Sequence, residues 1–84
     1  MNKLRLDGFA RGDEEDKRVS LDIAALFASP TGGSVLKYLR SITIEAVNGP
    51  NVTDAELRHM EGQRYLVGLL ERRIKHGQKV KQDE

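Results

Sequence analysis

Ser29-Pro30 constrains the fold of this chain more than any other pair of residues. A serine at a helix N-cap accepts hydrogen bonds from free N–H groups of the first turn, and proline fits the next position, where no N–H is needed. An apolar block ending in Leu26-Phe27 precedes the pair, and Val35, Leu36 and Leu39 follow at helical spacing. The chain must therefore turn sharply between two apolar helices at this point. With 84 residues there is room for one domain, near the lower size limit for a self-sufficient core. Hydrophobic residues make up 38% and aromatics 5%, against 32% charged, so there is little to bury. Small domains of this kind need a staple or a partner. The chain has no cysteine, which removes disulfides and thiolate metal sites. Oligomerisation or docking on a larger protein is the staple that remains.

Around that junction the pattern predicts an all-α domain of two shorter helices and one long one. Residues 1–12 read as an N-terminal arm, irregular or briefly extended, with Leu4, Leu6 and Phe9 as its larger apolar residues. An arm lying on a neighbour and a loose terminus fit this stretch equally well. The helical domain spans 13–77. Its first helix starts at an Asp13 cap, or at Ser20 if it begins later, and runs to about Ala28. Val19, Ile23, Leu26 and Phe27 give it one apolar face. The acidic run Asp13–Asp16 is best explained as a solvated first turn, where the helix dipole favours negative charge.

The second helix runs from Pro30 to about Ala46, with Val35, Leu36, Leu39, Ile42 and Thr43 as its core stripe. The β-branched run Ile42-Thr43-Ile44 weakens its last turn. Gly32 and Gly33 each cost about 1 kcal/mol relative to alanine in a helix. The pair lacks the GK[ST] ending of a phosphate loop, so close packing is their expected reason. Asn48-Gly49-Pro50-Asn51 marks a loop. Thr53 and Glu56 then form a capping box. Helix three runs from Asp54 to about His76, roughly 34 Å at the helical rise, with Gly77 as its C′ residue. Residues 78–84 are a polar tail.

The candidate surfaces lie mainly on helix three. Met60, Val67, Leu70 and Ile74 form a heptad-like seam, with Gln63 on the same face. Leu66 and Leu69 widen the apolar arc, and Gly62 and Gly68 would let a helix approach closely. Two shorter helices cannot cover this length, and the remaining apolar surface implies a partner. The expected partner interface is Leu66, Leu69 and Gly62, with Leu4 and Phe9 of the arm. Arg64 falls within the apolar stretch, where an unpaired guanidinium would be costly. It is expected to be a buried structural lock that meets a carboxylate or backbone carbonyls at the end of helix one or two.

Arg72, Arg73, Lys75, His76, Lys79 and Lys81 concentrate positive charge and are candidate contacts for DNA or an acidic partner. A basic helix end also follows from the dipole alone. With 14 basic and 13 acidic residues, the net charge of +1 supplies no global field for nucleic acid. A helix-turn-helix reader would need a shorter turn than Asn48–Val52.

No catalytic or metal centre is expected. His59 and His76 stand 17 positions apart, about 25 Å along one helix, too far to share a metal. No histidine–acid pair suggests an activated nucleophile. The N-terminal stretch lacks the apolar core of a secretory signal. No apolar run approaches the roughly 20 residues that span a bilayer. The expected location is therefore a cytoplasm, or a particle assembled there.

Phe27, Ser29, Pro30, Gly32 or Gly33, Val35, Leu36, Leu39 and the triplet Gly62-Gln63-Arg64 together resemble a known pattern. It is that of a family of small Bordetella-phage-like proteins encoded in tailed-bacteriophage genomes, and the resemblance covers roughly Leu21 to Ile74. It implies a non-enzymatic virion or assembly protein, made in the host cytoplasm and located in the virion. Such a protein would pack against larger structural proteins of the head–tail or portal region, the capsid or the virion interior, or against copies of itself. No cofactor, membrane or small-molecule substrate is implied. The competing class is a small regulatory or DNA-binding accessory protein, such as a packaging or transcription factor.

Overall fold

The computed structural model describes residues 3–83. The element order is β1 (Lys3–Leu4), β2 (Ala10–Arg11), α1 (Asp13–Ala28), α2 (Pro30–Ser41) and α3 (Asp54–Gln82). The fold is all-α apart from the small N-terminal hairpin, and its longest element is the C-terminal helix.

The arm is more regular than its sequence suggests. Lys3 pairs with Arg11 and Leu4 with Ala10 in an antiparallel register. The turn is closed by the Gly8 N–H on the Arg5 carbonyl, at 2.9 Å, and Gly8 adopts a left-handed φ of 84°. Asp7-Gly8 is the turn dipeptide that makes this possible, since glycine enters that region without steric cost.

The α1–α2 junction follows the local rule. Ser29 Oγ accepts from the Gly32 N–H at 2.9 Å, Pro30 occupies the first turn, and the two helices bend by 96°. At α1 the cap is Gly12, with no side-chain hydrogen bond, so Asp13 is the first helical residue and not the cap. The capping box of α3 has both bonds, Glu56 N–H to Thr53 Oγ1 at 3.1 Å and Thr53 N–H to Glu56 Oε2 at 3.4 Å.

Two helix ends differ from expectation. α2 stops at Ser41 and the β-branched run forms a turn, with the Glu45 N–H donating to the Arg40 carbonyl. At the other extreme, α3 passes straight through Gly77 and continues to Gln82, so most of the expected polar tail is helical. Gly77 is not a C′ residue. A Cβ there would stand 2.2 Å from the Ser20 carbonyl oxygen and 2.7 Å from Ala24 Cβ. The glycine is needed because α1 and α3 cross at this point in backbone contact. Asp16 meets Arg73 and Ser20 meets Gly77, so the two helices run in the same direction.

The resulting molecule is thin. Its Cα extents are 49 × 35 × 14 Å and its radius of gyration is 15.2 Å, against about 12 Å for a compact domain of this length. Among the described residues, Val67 is the one buried apolar side chain. The expected apolar faces are only partly covered: Leu26, Val35 and Ile42 are exposed, while Val19, Ile23, Phe27, Leu36, Leu39, Met60, Leu70 and Ile74 are half-buried. What α1 sets against α3 is the row Asp16, Ser20 and Ala24, and two of these are polar.

Candidate interaction surface

The buried centre of this fold is ionic. Arg73, 2% exposed, donates to the Asp16 carboxylate at 2.7 Å, to Ser20 Oγ at 2.9 Å and to the Asp16 carbonyl at 3.2 Å, all through one nitrogen. Its other terminal nitrogen reaches the Asp7 carboxylate at 3.1 Å. Ser20 Oγ lies 2.6 Å from His76 Nδ1. The serine hydroxyl thus joins Arg73 of α3 and His76, one turn further along the same helix.

Arg73 thus ties α1, α3 and the hairpin together, and it is unavailable to a nucleic acid. Asp16 likewise belongs to the interior and not to a solvated first turn, because it neutralises that guanidinium. Asp7 also pairs with Arg11 and accepts the Phe9 N–H at 3.0 Å. That backbone bond, aided by Arg11 and Arg73 against the effect of burial, holds its carboxyl at about 2. The Asp13 carboxyl is also lowered, first by its hydrogen bond from Arg5.

Arg64 has a different task. In the turn that follows the early end of α2, Arg64 donates to the carbonyls of Thr43 at 3.0 Å and Ala46 at 2.7 Å, the first of which also accepts the Ala46 N–H. Its carboxylate partner is Glu61, at 2.6 Å, which is exposed and a neighbour on the same helix. Arg64 is half-buried and caps a turn, so no buried carboxylate depends on it. Arg40 closes α2 onto α3 through both oxygens of Glu71, at 2.6 and 2.5 Å. These bonds, chiefly, raise the Arg40 pKa.

Around this frame lie the residues singled out in the sequence. Leu66 is 58% exposed beside exposed Tyr65, and Leu4 and Phe9 of the hairpin are exposed, whereas Leu69 is half-buried. Gly62 and Gly68 have open space where a Cβ would sit, so they admit no helix of this chain. Gln63 is exposed and contacts His59. The two motif glycines differ. At Gly32 a Cβ would fall 2.0 Å from the Leu26 carbonyl oxygen, but Gly33 faces open space. Phe27 is half-buried beside the junction. Arg72, Lys75, Lys79 and Lys81 remain exposed, and Arg72 lies over the Tyr65 ring at 5.8 Å.

A groove of about 390 Å³ lies between α1 and the end of α3, lined by Leu21, Ala24, Ala25, Ala28 and Gly77 together with the charged Arg18, Asp22 and Lys81. Among the described residues, no three His, Asp or Glu side chains are placed to hold a metal, and no single helix is long and apolar enough to cross a membrane.

Arg73 carried a sequence signal that competed with another. It sits three residues after Leu70 and four before Gly77, on one helical face. A basic helix end explains the same residue without burial.

No curated protein and no solved structure matches the chain. A family model, that of the Bbp19-like phage proteins, matches residues 23–82. This span takes in the Ser29-Pro30 junction and all of α2 and α3, together with Arg64 and Arg73. The chain belongs to the Bbp19-like phage protein family.

Proposed function

We propose that this phage protein is a non-enzymatic virion or assembly component that docks on larger structural proteins through the apolar surface its own fold leaves open. One observation carries the reading. A single apolar side chain is buried among the described residues, while Leu4, Phe9, Leu26, Tyr38, Tyr65 and Leu66 are exposed on the hairpin and all three helices. The accessible surface is 6324 Å², against about 5,000 Å² for a folded monomer of this mass. So many large apolar side chains left in solvent on so small a chain support an interaction role. The buried ion pairs do not compensate, since such pairs give weak net stability.

DNA reading is less well supported, because the burial of Arg73 takes the middle cation out of the basic cluster. The test is mass spectrometry of purified particles of a phage encoding this chain, with a density map to place it. Leu66→Glu should leave helicity intact and reduce incorporation at least tenfold. A chain absent from wild-type particles would refute the virion reading. Retention on DNA that salt abolishes would favour an accessory role instead.

A further inference from the structure

One exposed face of α3 carries a charge pattern that the described part of the chain does not answer. Tyr65, Gly68, Arg72, Lys75 and Lys79 recur at three-four-three-four spacing, so they share a face over about 21 Å of helix. Arg72, Lys75 and Lys79 are exposed, and among the described residues none of the three is ion-paired. Between Glu61 and Asp83 the helix has one carboxylate, Glu71, and both its oxygens are taken by Arg40. Arg73 is turned the other way, onto Asp16 and Asp7.

The N-terminal end of this face is shaped for close approach. Tyr65 is 55% exposed, and the Arg72 guanidinium lies over its ring at 5.8 Å. Stacking holds the guanidinium plane while its N–H edge stays open to a carboxylate. Gly62 and Gly68 stand three residues to either side of Tyr65, and a Cβ at either would meet nothing within 4 Å. Glycine weakens a helix, and no packing among the described residues explains these two.

We infer that this face docks an acidic amphipathic helix of a larger protein. The inference rests on the reading above that the chain docks on structural proteins, and it names the chemistry of one partner surface. The partner's carboxylates repeat at three- and four-residue spacing opposite Arg72, Lys75 and Lys79, and its backbone comes close beside Tyr65. Charge complementarity selects the acid. The stems of the three cations give a helix apolar contact while their heads reach its carboxylates.

The aromatic ring and the two glycines favour a helix over a phosphate backbone. Nucleic acid needs cations alone, and three of them on a chain of net charge +1 give weak binding that salt removes. A second copy of this chain lacks a matching acidic row. Arg18 interrupts Glu15 and Asp22 on α1, and Arg58 interrupts Asp54 and Glu61 on and near the start of α3.

The test uses the full chain in extracts of cells infected by a phage that encodes it. A carbodiimide couples a lysine amine to a carboxylate in direct contact with it. Mass spectrometry should find Lys75 and Lys79 joined to Asp or Glu side chains three or four residues apart on one larger protein. A Lys75→Glu, Lys79→Glu double variant should keep its helical circular dichroism and recover that protein at least about tenfold less well. Lys81→Glu, on the groove side of α3, should recover it like wild type.

Failure of both lysines to couple to a larger protein would overturn the inference, as would coupling only to this chain's own acids or undiminished recovery by the double variant. Retention on DNA that the double variant loses would give the face to nucleic acid instead. The two readings fail separately. Coupling to an acidic helix by a chain absent from particles refutes the virion role alone, and a chain present in particles whose lysines reach no carboxylate refutes this face alone.

Discussion

Replacing Gly77 with alanine tests the central packing of this fold. Alanine in place of a helical glycine is worth about 1 kcal/mol in intrinsic propensity. Its backbone is no obstacle, since Gly8 is the one glycine at positive φ among the described residues. The new Cβ, however, would lie 2.2 Å from the Ser20 carbonyl oxygen and 2.7 Å from Ala24 Cβ. Ordinary contacts between such atoms need about 3.5 Å, so α1 and α3 must part by roughly 1 Å. No flexible side chain can give way, because the closest atom belongs to backbone. Overpacking of this kind costs about 1–3 kcal/mol.

Separation also stretches the Arg73–Asp16 and Ser20–His76 bonds, at 2.7 and 2.6 Å, which cross the same interface. Hydrogen bonds to charged groups contribute about 1.5–3 kcal/mol. With the propensity gain subtracted, the net loss is about 2–4 kcal/mol. For a domain this small that lowers Tm by roughly 10 °C or more. Gly62→Ala on the same helix meets nothing within 4 Å and should gain close to the full 1 kcal/mol. Thermal unfolding followed by circular dichroism compares the two directly. A Gly77→Ala chain that melts at or above wild type, or that tracks Gly62→Ala, would refute the close-crossing argument.

The two motif glycines should separate in the same assay: Gly32→Ala destabilises through the Leu26 carbonyl, and Gly33→Ala, facing open space, stabilises by about 1 kcal/mol. Arg73→Ala leaves Asp16 and Asp7 without their shared cation and should cost about 3–5 kcal/mol, whereas Arg72→Ala, at an exposed position, should cost about 1 kcal/mol or less. Equal shifts for the two arginines would show that the ionic centre is not structural. Asp7 gives a pH dependence of defined sign. Its folded pKa of about 2 lies below the unfolded value near 3.8, so its contribution is present above pH ~4 and is lost as pH falls through 2. Asp7→Asn should flatten the melting-temperature profile in that window, and an unchanged profile would remove Asp7 from the latch.

Sequence alone determined the features that close within one helical turn. Ser29 caps Gly32 three residues away, and Thr53 and Glu56 cap each other; the β-branched run after Ser41 marked a weak end of α2, although the helix stops about a turn earlier than its pattern suggested. These groups find their partners locally, so their chemistry can be read from neighbouring letters. For Arg64 the need for acceptors was legible, because a guanidinium in an apolar stretch must find them, but its half-buried place over the turn after α2, instead of a buried one, was not.

The tertiary structure decided what faces what. Leu26, Val35 and Ile42 carry the right spacing for a core but are left largely exposed by the rest of the described residues. Asp16, Ser20, Arg73 and Gly77 had good local explanations, as a first turn, a cap, a basic helix end and a helix stop. Each was overridden by its partner across the α1–α3 crossing, more than 50 positions away in the chain. A single helix cannot specify which of its faces another helix will meet. Only the arrival of α3 beside α1 makes Gly77 a contact point and Arg73 a buried cation.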